Sequence, residues 1–440
     1  LMNQMQILTL SNNLINYYFN GEKRGIYVIE EVPSNRTLER QGRKAGPIFG
    51  LEEKYNINFN QRTLFDYYDS KTWEGTQLLE NSQQVLYEFI ENLEKDSYQL
   101  DKYFDVEKWA KYFAISDLFG TYHGTIPKSV KFYSNPVTGK IEPIFFDGHK
   151  GAGAFDNFLL LDFILSKDVK CKYLCEHRLF YSVFLKNPKF LKEYLAALDY
   201  VVSNDFLTEV KNIYTNEFES VDREFYSKLM PSDGVFHRNF NLYHFDFNEI
   251  YKRANIIEGA LERFRKNQSL KIVKKTQTHD SNQLITDRSL EIVDVKNFNF
   301  IGENWFFEKP TLVIMSGNTI LSGGQATMLN ITGPVMFVQI GGSIKLNNIN
   351  FKDIENHKIK NRDWSGALNI IDAKVIIDNL NILSAFSEDA INIISSNINL
   401  NSISINNSKS DALDLDFSNG NIQKLKCNNI GNDCLDTSES

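Results

Sequence analysis

The chain lacks the features that mark several classes of protein. No apolar run approaches the roughly 18 residues that a membrane span needs. Positive charge is not in excess either: the formal net charge is −8, whereas nucleic-acid binding needs clustered Lys and Arg. We therefore expect neither a membrane span nor a nucleic-acid partner.

Cysteine is also scarce, with four residues in 440. Cys171, Cys175 and the nearby His177 supply too few ligands for a metal site, and the two cysteines are interpreted as ordinary thiols on a helix. Cys427 and Cys434 face opposite ways in the repeat described below, so no bridge between them is predicted. The cysteines leave the redox compartment undecided.

The sequence does not begin with methionine, and it ends inside a repeat. We therefore expect a fragment of a longer protein, in which a signal peptide is neither seen nor excluded. A hydrophobic content of 42% and a charged content of 24% are ordinary for a globular protein. A chain of 440 residues is long enough for two or three domains.

What the sequence does contain is a repeat near its end. Similar segments occur at 366–370, 389–393, 411–415 and 433–437, with offsets of 23, 22 and 22 residues. Each alternates Ile or Leu with polar residues and is followed by Asn, Ser, Asp or Gly. Such a unit can bury its apolar side only by stacking on its neighbours.

The repeat predicts an all-β, right-handed parallel β-helix. It is regular from about Ser343, with less regular rungs or a cap upstream, so the domain is predicted over 291–440. A leucine-rich repeat would need a helical segment in each unit, and none is seen. The predicted inward stacks are Leu368, Ile391, Leu413 and Leu435, and Ile370, Ile393 and Leu415.

The residues between these positions are predicted to form an outer ladder of Asn369, Asn392, Asp414 and Asp436. Stacked carboxylates on Asp414 and Asp436, with Asp416 beside them, would repel one another. Either water screens them on a solvated face, or the face binds a cation such as Ca²⁺ or a sugar.

The earlier part of the chain has a different pattern. Residues 1–156 are predicted to be mixed α and β, and 157–272 to form a helical lobe. A polar linker is predicted at 273–290. The helical periodicity and charged outer faces lie at 158–165, 181–198, 206–228 and 247–264.

Three elements stand out in the mixed region. A strand at 25–31 ends in two carboxylates, and an amphipathic helix is predicted at 106–119. A hairpin at 130–146 turns at 135–139 and leads into Asp147. A carboxylate at the end of a rigid strand suits Mg²⁺ binding for phosphoryl transfer, although Asp-Gly is also common in turns.

Four segments, in order, resemble the CotH-type kinases, a family named for a spore coat protein. They are residues 20–31, the basic glycine-flanked loop 42–48, the helix 109–120 and the hairpin 131–147; the similarity extends over roughly 5–265. The resemblance implies a protein-kinase-like fold that transfers phosphate from ATP to protein. It implies Mg²⁺ at Asp147, with Glu31 and Lys44 towards the nucleotide. It also implies an extracellular or cell-surface location.

The chain departs from the family pattern at four positions. His123 stands where a catalytic Asp is usual, Ser129 where an Asn helps to hold the metal, His149 where a second Asp is frequent, and Gly50 where a lysine is frequent. We therefore predict His123 and Asp147 as catalytic residues, Glu31, Lys44 and Ser129 as cofactor-binding residues, and Asp147 and His149 as metal ligands.

Three interpretations of this site remain open. It is an active, diverged kinase, a pseudokinase that binds without transfer, or a Zn²⁺ or Fe²⁺ site formed by His123, Asp147 and His149.

Three functions follow for the whole chain. One is an atypical kinase that the β-helix positions on a surface or polymer. Another is an adhesion protein with a decayed kinase domain, whose β-helix does the binding. The third is a polysaccharide-acting, pectate-lyase-like enzyme, ranked last because the regular rungs offer lysines such as Lys409 and Lys426 but no arginine. The expected partners are a protein substrate or a cell-surface polysaccharide.

Overall fold

The structure is a computed structural model of the 440-residue chain. It describes residues 2, 5–51, 65–93, 99–148, 158–165, 177–218, 247–269, 290–324, 327–359 and 362–440. The predicted linker, except for residue 290, lies outside the described residues, as do Cys171 and Cys175.

The chain divides into two compact units. The N-terminal unit comprises Leu1–Gln41, Gly46–Asn135 and Lys140–Asp280. The C-terminal unit comprises Ser281–Ser440 together with two short earlier segments, Gly42–Ala45 and Pro136–Gly139.

The N-terminal unit contains a five-stranded sheet in the order β1-β7-β6-β4-β5 and a separate β2–β3 hairpin. The strands are β1 (Leu8–Thr9), β2 (Asn12–Phe19), β3 (Glu22–Glu30), β4 (Ile48–Leu51), β5 (Phe65–Tyr67), β6 (Lys131–Asn135) and β7 (Lys140–Phe145). The predicted hairpin at 130–146 is confirmed, because β6 and β7 pair antiparallel with Lys131 opposite Ile144.

Helices supply the rest of this unit. They are α1 (Asn35–Glu39), α2 (Ser70–Trp73), α3 (Gln77–Glu91), α4 (Leu100–Tyr103), α5 (Val106–Phe119), α6 (Asp162–Leu165), α7 (Arg178–Lys186), α8 (Pro188–Val201), α9 (Asn204–Ile213) and α10 (Phe247–Ser269). Helix α5 has the predicted bounds but is not amphipathic. Trp109 and Phe113 are fully buried on it, and ten of its fourteen residues are buried.

Two predicted helices are wrong in their extent. The pattern at 158–165 is helical only from Asp162 to Leu165. The pattern at 181–198 is two helices, because Asn187 caps the start of α8 with its side chain and Pro188 occupies the first helical position. Proline suits that position because its missing N–H would have had no partner there, and it cannot continue α7.

The C-terminal unit is a β-solenoid of about six turns over 291–438, as the repeat predicted. All of its strand pairs are parallel, in an eleven-stranded sheet, a six-stranded sheet and the pair β15–β19. Its strands are β8 (Glu291–Lys296), β9 (Asn299–Ile301), β10 (Asn304–Phe306), β11 (Thr311–Ser322), β12 (Leu329–Thr332), β13 (Val335–Asn347), β14 (Ile349–Lys352), β15 (Ile354–Glu355), β16 (Gly366–Ile371), β17 (Lys374–Ile377), β18 (Leu380–Ile382), β19 (Ala385–Phe386), β20 (Asp389–Ile394), β21 (Asn397–Leu400), β22 (Ile403–Ser408), β23 (Leu413–Asp416), β24 (Asn419–Ile422), β25 (Leu425–Ile430) and β26 (Leu435–Ser438).

The register of the rungs is the predicted one. Leu368 pairs with Ile391, Ile391 with Leu413, and Leu413 with Leu435. The first three side chains are fully buried, whereas Leu435 is 41% exposed because β26 has a strand neighbour on one side only. Ile370, Ile393 and Leu415 form the second predicted stack.

A left-handed residue forms the same corner of successive turns. Its φ lies between 51° and 69° in Asn297, Gly317, Gly341, Asp372, Ser395, Phe417 and Glu439. Asn, Asp and Gly tolerate this conformation, whereas Ser, Phe and Glu adopt it at a cost. The corner therefore recurs for geometric reasons even where the local residue disfavours it.

Two expectations about this unit are wrong. Asn369 and Asn392 belong to the predicted ladder but are fully buried. Apolar side chains gather over the outer face of the same sheet, including Ile359 and Trp364 from the segment between β15 and β16. Asn369 and Asn392 point away from the solenoid interior but are covered by these apolar side chains, so they are not solvated.

The second error concerns the cysteines. Cys427 and Cys434 form a disulfide, with their Cα atoms 5.7 Å apart. Strand alternation did not apply, because Cys434 lies in the bend before β26 rather than in a strand.

Candidate functional site

A short turn and a strand end bring the predicted catalytic residues together. Helix α5 ends at Phe119 and is capped by Gly120, whose φ is +67°; a 3₁₀ turn follows at Tyr122–Thr125. Gly124 in this turn approaches the end of β7 so closely that a Cβ atom would lie 2.3 Å from the Phe146 carbonyl oxygen. Only glycine permits this approach, which sets His123 beside Asp147.

His123, Asp147 and Ser129 form a cluster. The Nδ1 atom of His123 lies 2.8 Å from Asp147 Oδ2. The Ser129 hydroxyl lies 3.4 Å from the same oxygen and 3.5 Å from His123 Nδ1. Both ionisable side chains are partly exposed, at 23% for His123 and 37% for Asp147. Three of the residues predicted for the site are thus close enough to act together.

Asp147 adopts a left-handed backbone, with φ of 51°. A Cβ on the next residue, Gly148, would lie 2.1 Å from the Phe145 ring. The Asp-Gly pair therefore makes a sharp turn directly after β7, and this turn aims the carboxylate at the 3₁₀ turn. The following residue, His149, lies outside the described residues, so its predicted metal role stays a prediction.

The charge of Asp147 acts on the Glu30 carboxylate. The cofactor-binding role of its neighbour Glu31 stays a prediction. Burial, and then the negative charge of Asp147, raise the pKa of Glu30. Glu31 instead accepts hydrogen bonds from the Ser11 N–H at 2.9 Å and from Arg40 at 2.6 Å. Burial alone would raise the pKa of Glu31, but these donors lower it overall. Neighbouring residues of an extended chain point to opposite sides, so Glu30 and Glu31 have different surroundings.

Lys44, the other predicted nucleotide residue, belongs to the segment Gly42–Ala45 of the C-terminal unit. Its Nζ lies 4.0 Å from an Asp363 carboxylate oxygen. Burial raises the pKa values of Asp414 and Asp416, and the positive charge of Lys44 opposes this rise. Lys44 therefore adds a cation to the acidic face of the solenoid, where the regular rungs supply few.

A network of buried polar groups holds the 3₁₀ turn in place. Asp117, fully buried near the end of α5, accepts hydrogen bonds from the hydroxyls of Tyr122 and Tyr194 and from the Leu160 N–H. Burial raises the pKa of Asp117 to about 6, although the hydrogen bonds oppose this shift. Tyr122 immediately precedes His123, so the network fixes the backbone that carries the imidazole.

Arg253 joins this network from α10. Its guanidinium donates to the Asp117 carbonyl oxygen at 2.6 Å and to the Tyr122 hydroxyl and Phe158 carbonyl at 2.8 Å each. The sequence pattern does not predict Asp117 or Arg253 as supporting residues. A buried arginine in a helix pattern was the available signal, but its partner lies 136 residues earlier.

Potential metal ligands are few. Across the described part of the chain, no group of three or more His, Cys, Asp or Glu side chains is arranged to hold a metal ion. The described residues likewise include no helix that is long and apolar enough to cross a bilayer.

On the solenoid, Asp414 and Asp436 stack in register as predicted. Burial, then the charges of Asp416 and Asp389, raise the pKa of Asp414 to about 7. The negative charge of Asp436 likewise raises the pKa of Asp416. Ca²⁺ binding at this face stays a prediction.

An α/β unit with a His-Asp pair at a strand end, followed by a β-solenoid, defines a two-domain protein of the kind that the sequence resemblance implied. The family model described as CotH kinase protein matches residues 1–226, more than half of the chain. The chain belongs to the CotH family. Among curated proteins, no match to the chain was found.

Proposed function

We propose that the N-terminal unit is an atypical protein kinase that transfers the γ-phosphoryl group of ATP to a protein hydroxyl. The observation that carries the proposal is the 2.8 Å contact between His123 Nδ1 and Asp147 Oδ2 at the end of β7. A donated Nδ1–H would leave the lone pair on Nε2, which is the arrangement of an oriented imidazole base.

In the proposed step, the substrate hydroxyl oxygen attacks the γ-phosphorus and its proton passes to His123 Nε2. The bond from the γ-phosphorus to the bridging oxygen breaks, and ADP leaves. Asp147 holds the imidazole in place and stabilises the imidazolium that forms. Ser129 restricts the position of the Asp147 carboxylate.

The donor set fits Mg²⁺ that arrives with the nucleotide better than a metal caged by protein. Mg²⁺ is commonly bound by one or two carboxylates together with phosphates and water. Asp147 and Glu30 supply two carboxylates: burial, and then the negative charge of Asp147, raise the pKa of Glu30, and a bound cation would offset that charge. When bound, the metal would neutralise charge on the transferred phosphoryl group.

A pseudokinase is the second candidate. It is favoured by the engagement of Asp147 Oδ2 with both His123 and Ser129, which leaves that oxygen less available to a metal. For either candidate we propose that the solenoid holds the protein on a surface or polymer. The Cys427–Cys434 disulfide supports an oxidising, extracellular setting, since disulfides persist there.

The test combines binding and transfer on the full chain. We expect ATP with Mg²⁺ or Mn²⁺ to raise the unfolding temperature of the wild type, and Asp147→Asn to abolish this rise. Asp199→Asn, an exposed carboxylate paired with Arg265, is the matched control and should keep it.

Transfer of labelled phosphate from ATP to the chain itself then separates the candidates. An active kinase incorporates label, and His123→Gln loses the label while keeping the thermal rise. Thermal stabilisation without label identifies a pseudokinase. If ATP gives no thermal rise with either metal, both candidates are wrong and a purely adhesive role is favoured.

A further inference from the structure

Lys131 is a buried cation close to the candidate site. The residue opens β6 and is only 8% exposed. Its Nζ lies over two aromatic rings, 5.0 Å from the centroid of Phe146 and 5.8 Å from that of Tyr68. Among the residues that the structure describes, no carboxylate forms an ion pair with Lys131, and no hydrogen bond from its ammonium is found.

Such burial calls for an anion. An ammonium removed from water loses hydration that two ring faces restore only in part. Buried lysines in folded proteins are normally paired with a carboxylate or with a bound anion. No carboxylate among the described residues compensates the charge of Lys131, and a bound anion would do so.

Gly50 explains why the ammonium lies where it does. Gly50 and Lys131 face each other directly across strands β4 and β6. A Cβ at position 50 would lie 2.9 Å from Lys131 Nζ and 3.4 Å from its Cδ. The absence of a side chain on β4 therefore leaves the space into which Lys131 extends.

Lys131 and the aromatic ring beside it are close in the sequence to residues of the candidate site. Ser129, whose hydroxyl contacts Asp147, precedes Lys131 by two residues on the same segment. Phe146, whose ring lies under the ammonium, immediately precedes Asp147. The ammonium and the His-Asp pair are thus supported by the same two strands.

We propose that Lys131 binds a phosphate group of the nucleotide. The proposal rests on the proposed nucleotide-binding function and assigns a phosphate-binding residue within that site. Phosphate is the anion class that fits, because a compact ammonium pairs with it as a point charge.

The test measures the affinity of the full chain for ATP with Mg²⁺ and for adenosine. We expect Lys131→Met, which preserves length without charge, to weaken ATP binding at least tenfold and leave adenosine binding unchanged. Adding Gly50→Lys to Lys131→Met returns an ammonium to the same cross-strand position. We expect this double variant to recover at least threefold of the lost ATP affinity. Lys131→Gln gives the same comparison if the Met variant does not fold.

Two results would overturn the assignment alone: Lys131→Met binding ATP as tightly as the wild type, or losing ATP and adenosine affinity equally, which marks a structural lysine. Wild-type protein that binds neither ATP nor adenosine would refute the proposed function, and the assignment with it.

Discussion

The two units specify their structures in different ways. In the solenoid, each buried residue contacts its counterpart 22 or 23 positions away, as in the series Leu368, Ile391 and Leu413. In the N-terminal unit, the candidate site depends on contacts without a period, such as Arg253 with Asp117 across 136 residues. A periodic fold spreads its stability over many equivalent rungs, whereas the site concentrates it in one buried network.

The largest expected effect therefore lies in that network. Arg253→Met should destabilise the N-terminal unit by about 3–5 kcal/mol, because it leaves the buried Asp117 and Phe158 carbonyl oxygens and the Tyr122 hydroxyl without their donor and removes the positive charge near the Asp117 carboxyl. Hydrogen exchange followed by mass spectrometry on the full chain should show faster exchange in peptides around the 3₁₀ turn. Arg265→Met on the same helix removes an exposed pair with Asp199 and should cost less than about 1 kcal/mol. Equal losses for the two arginines would refute this role for the network.

A core truncation in the solenoid should have a smaller, local effect. Ile391→Ala removes a fully buried side chain from the middle of a stack and should cost about 2–5 kcal/mol. We expect exchange to rise first in the adjoining rungs that carry Leu368 and Leu413. Asn399→Ala, at an exposed position of β21, should change stability by less than about 0.5 kcal/mol. Exchange that rises uniformly over all rungs would argue against nearest-neighbour stability.

The same contrast decides what the sequence could predict. The solenoid register followed from counting residues, and Asp147 followed from a strand pattern that ends in a carboxylate. The family resemblance predicts a catalytic role for His123, and the contact of His123 with Asp147 follows from the close approach at Gly124. These features are local or periodic, so a single sequence contains them.

Other features needed three-dimensional information. Glu30 and Glu31 are neighbours whose side chains point to opposite sides of an extended chain. The structure shows that the charge of Asp147 raises the pKa of Glu30, whereas hydrogen-bond donors lower that of Glu31. The partnership of Arg253 and Asp117 has no local signal. The break before Pro188 had one, because Asn-Pro marks a helix start, but the apolar periodicity that continues across it favoured a single helix.

A still smaller effect should appear at the solenoid corner. Ser395 has φ of 51° without the tolerance of Asn for this region. Ser395→Asn should therefore stabilise the solenoid by up to about 1 kcal/mol, measured by urea unfolding. Ser404→Asn, within β22, should give no gain, since Asn is disfavoured in strands. A loss of stability for Ser395→Asn would mean that the corner serine has a role beyond its backbone angle.

The smallest expected effect is the pH dependence of the solenoid transition. Burial, then the charges of Asp416 and Asp389, raise the pKa of Asp414 to about 7, while Lys44 and the Asn392 amide oppose the shift. Folded Asp414 therefore keeps its proton at pH values where the unfolded chain has lost it. Between about pH 4 and pH 7 the folded state binds more protons, so solenoid stability should fall as the pH rises through this window and stay low above it.

Calorimetry of the full chain at pH 5, 6, 7 and 8 can measure this trend, with Ile391→Ala identifying the solenoid transition. Asp414→Asn should flatten the pH dependence of that transition, although Asp389, whose pKa burial raises to about 6, leaves part of it. Asp372→Asn is the matched control, because Asp372 is exposed and Asn tolerates its left-handed backbone. A solenoid transition that shifts to higher temperature from pH 5 to pH 8 would contradict the acidic-face argument, because stacked carboxylates that lose their protons must repel more strongly.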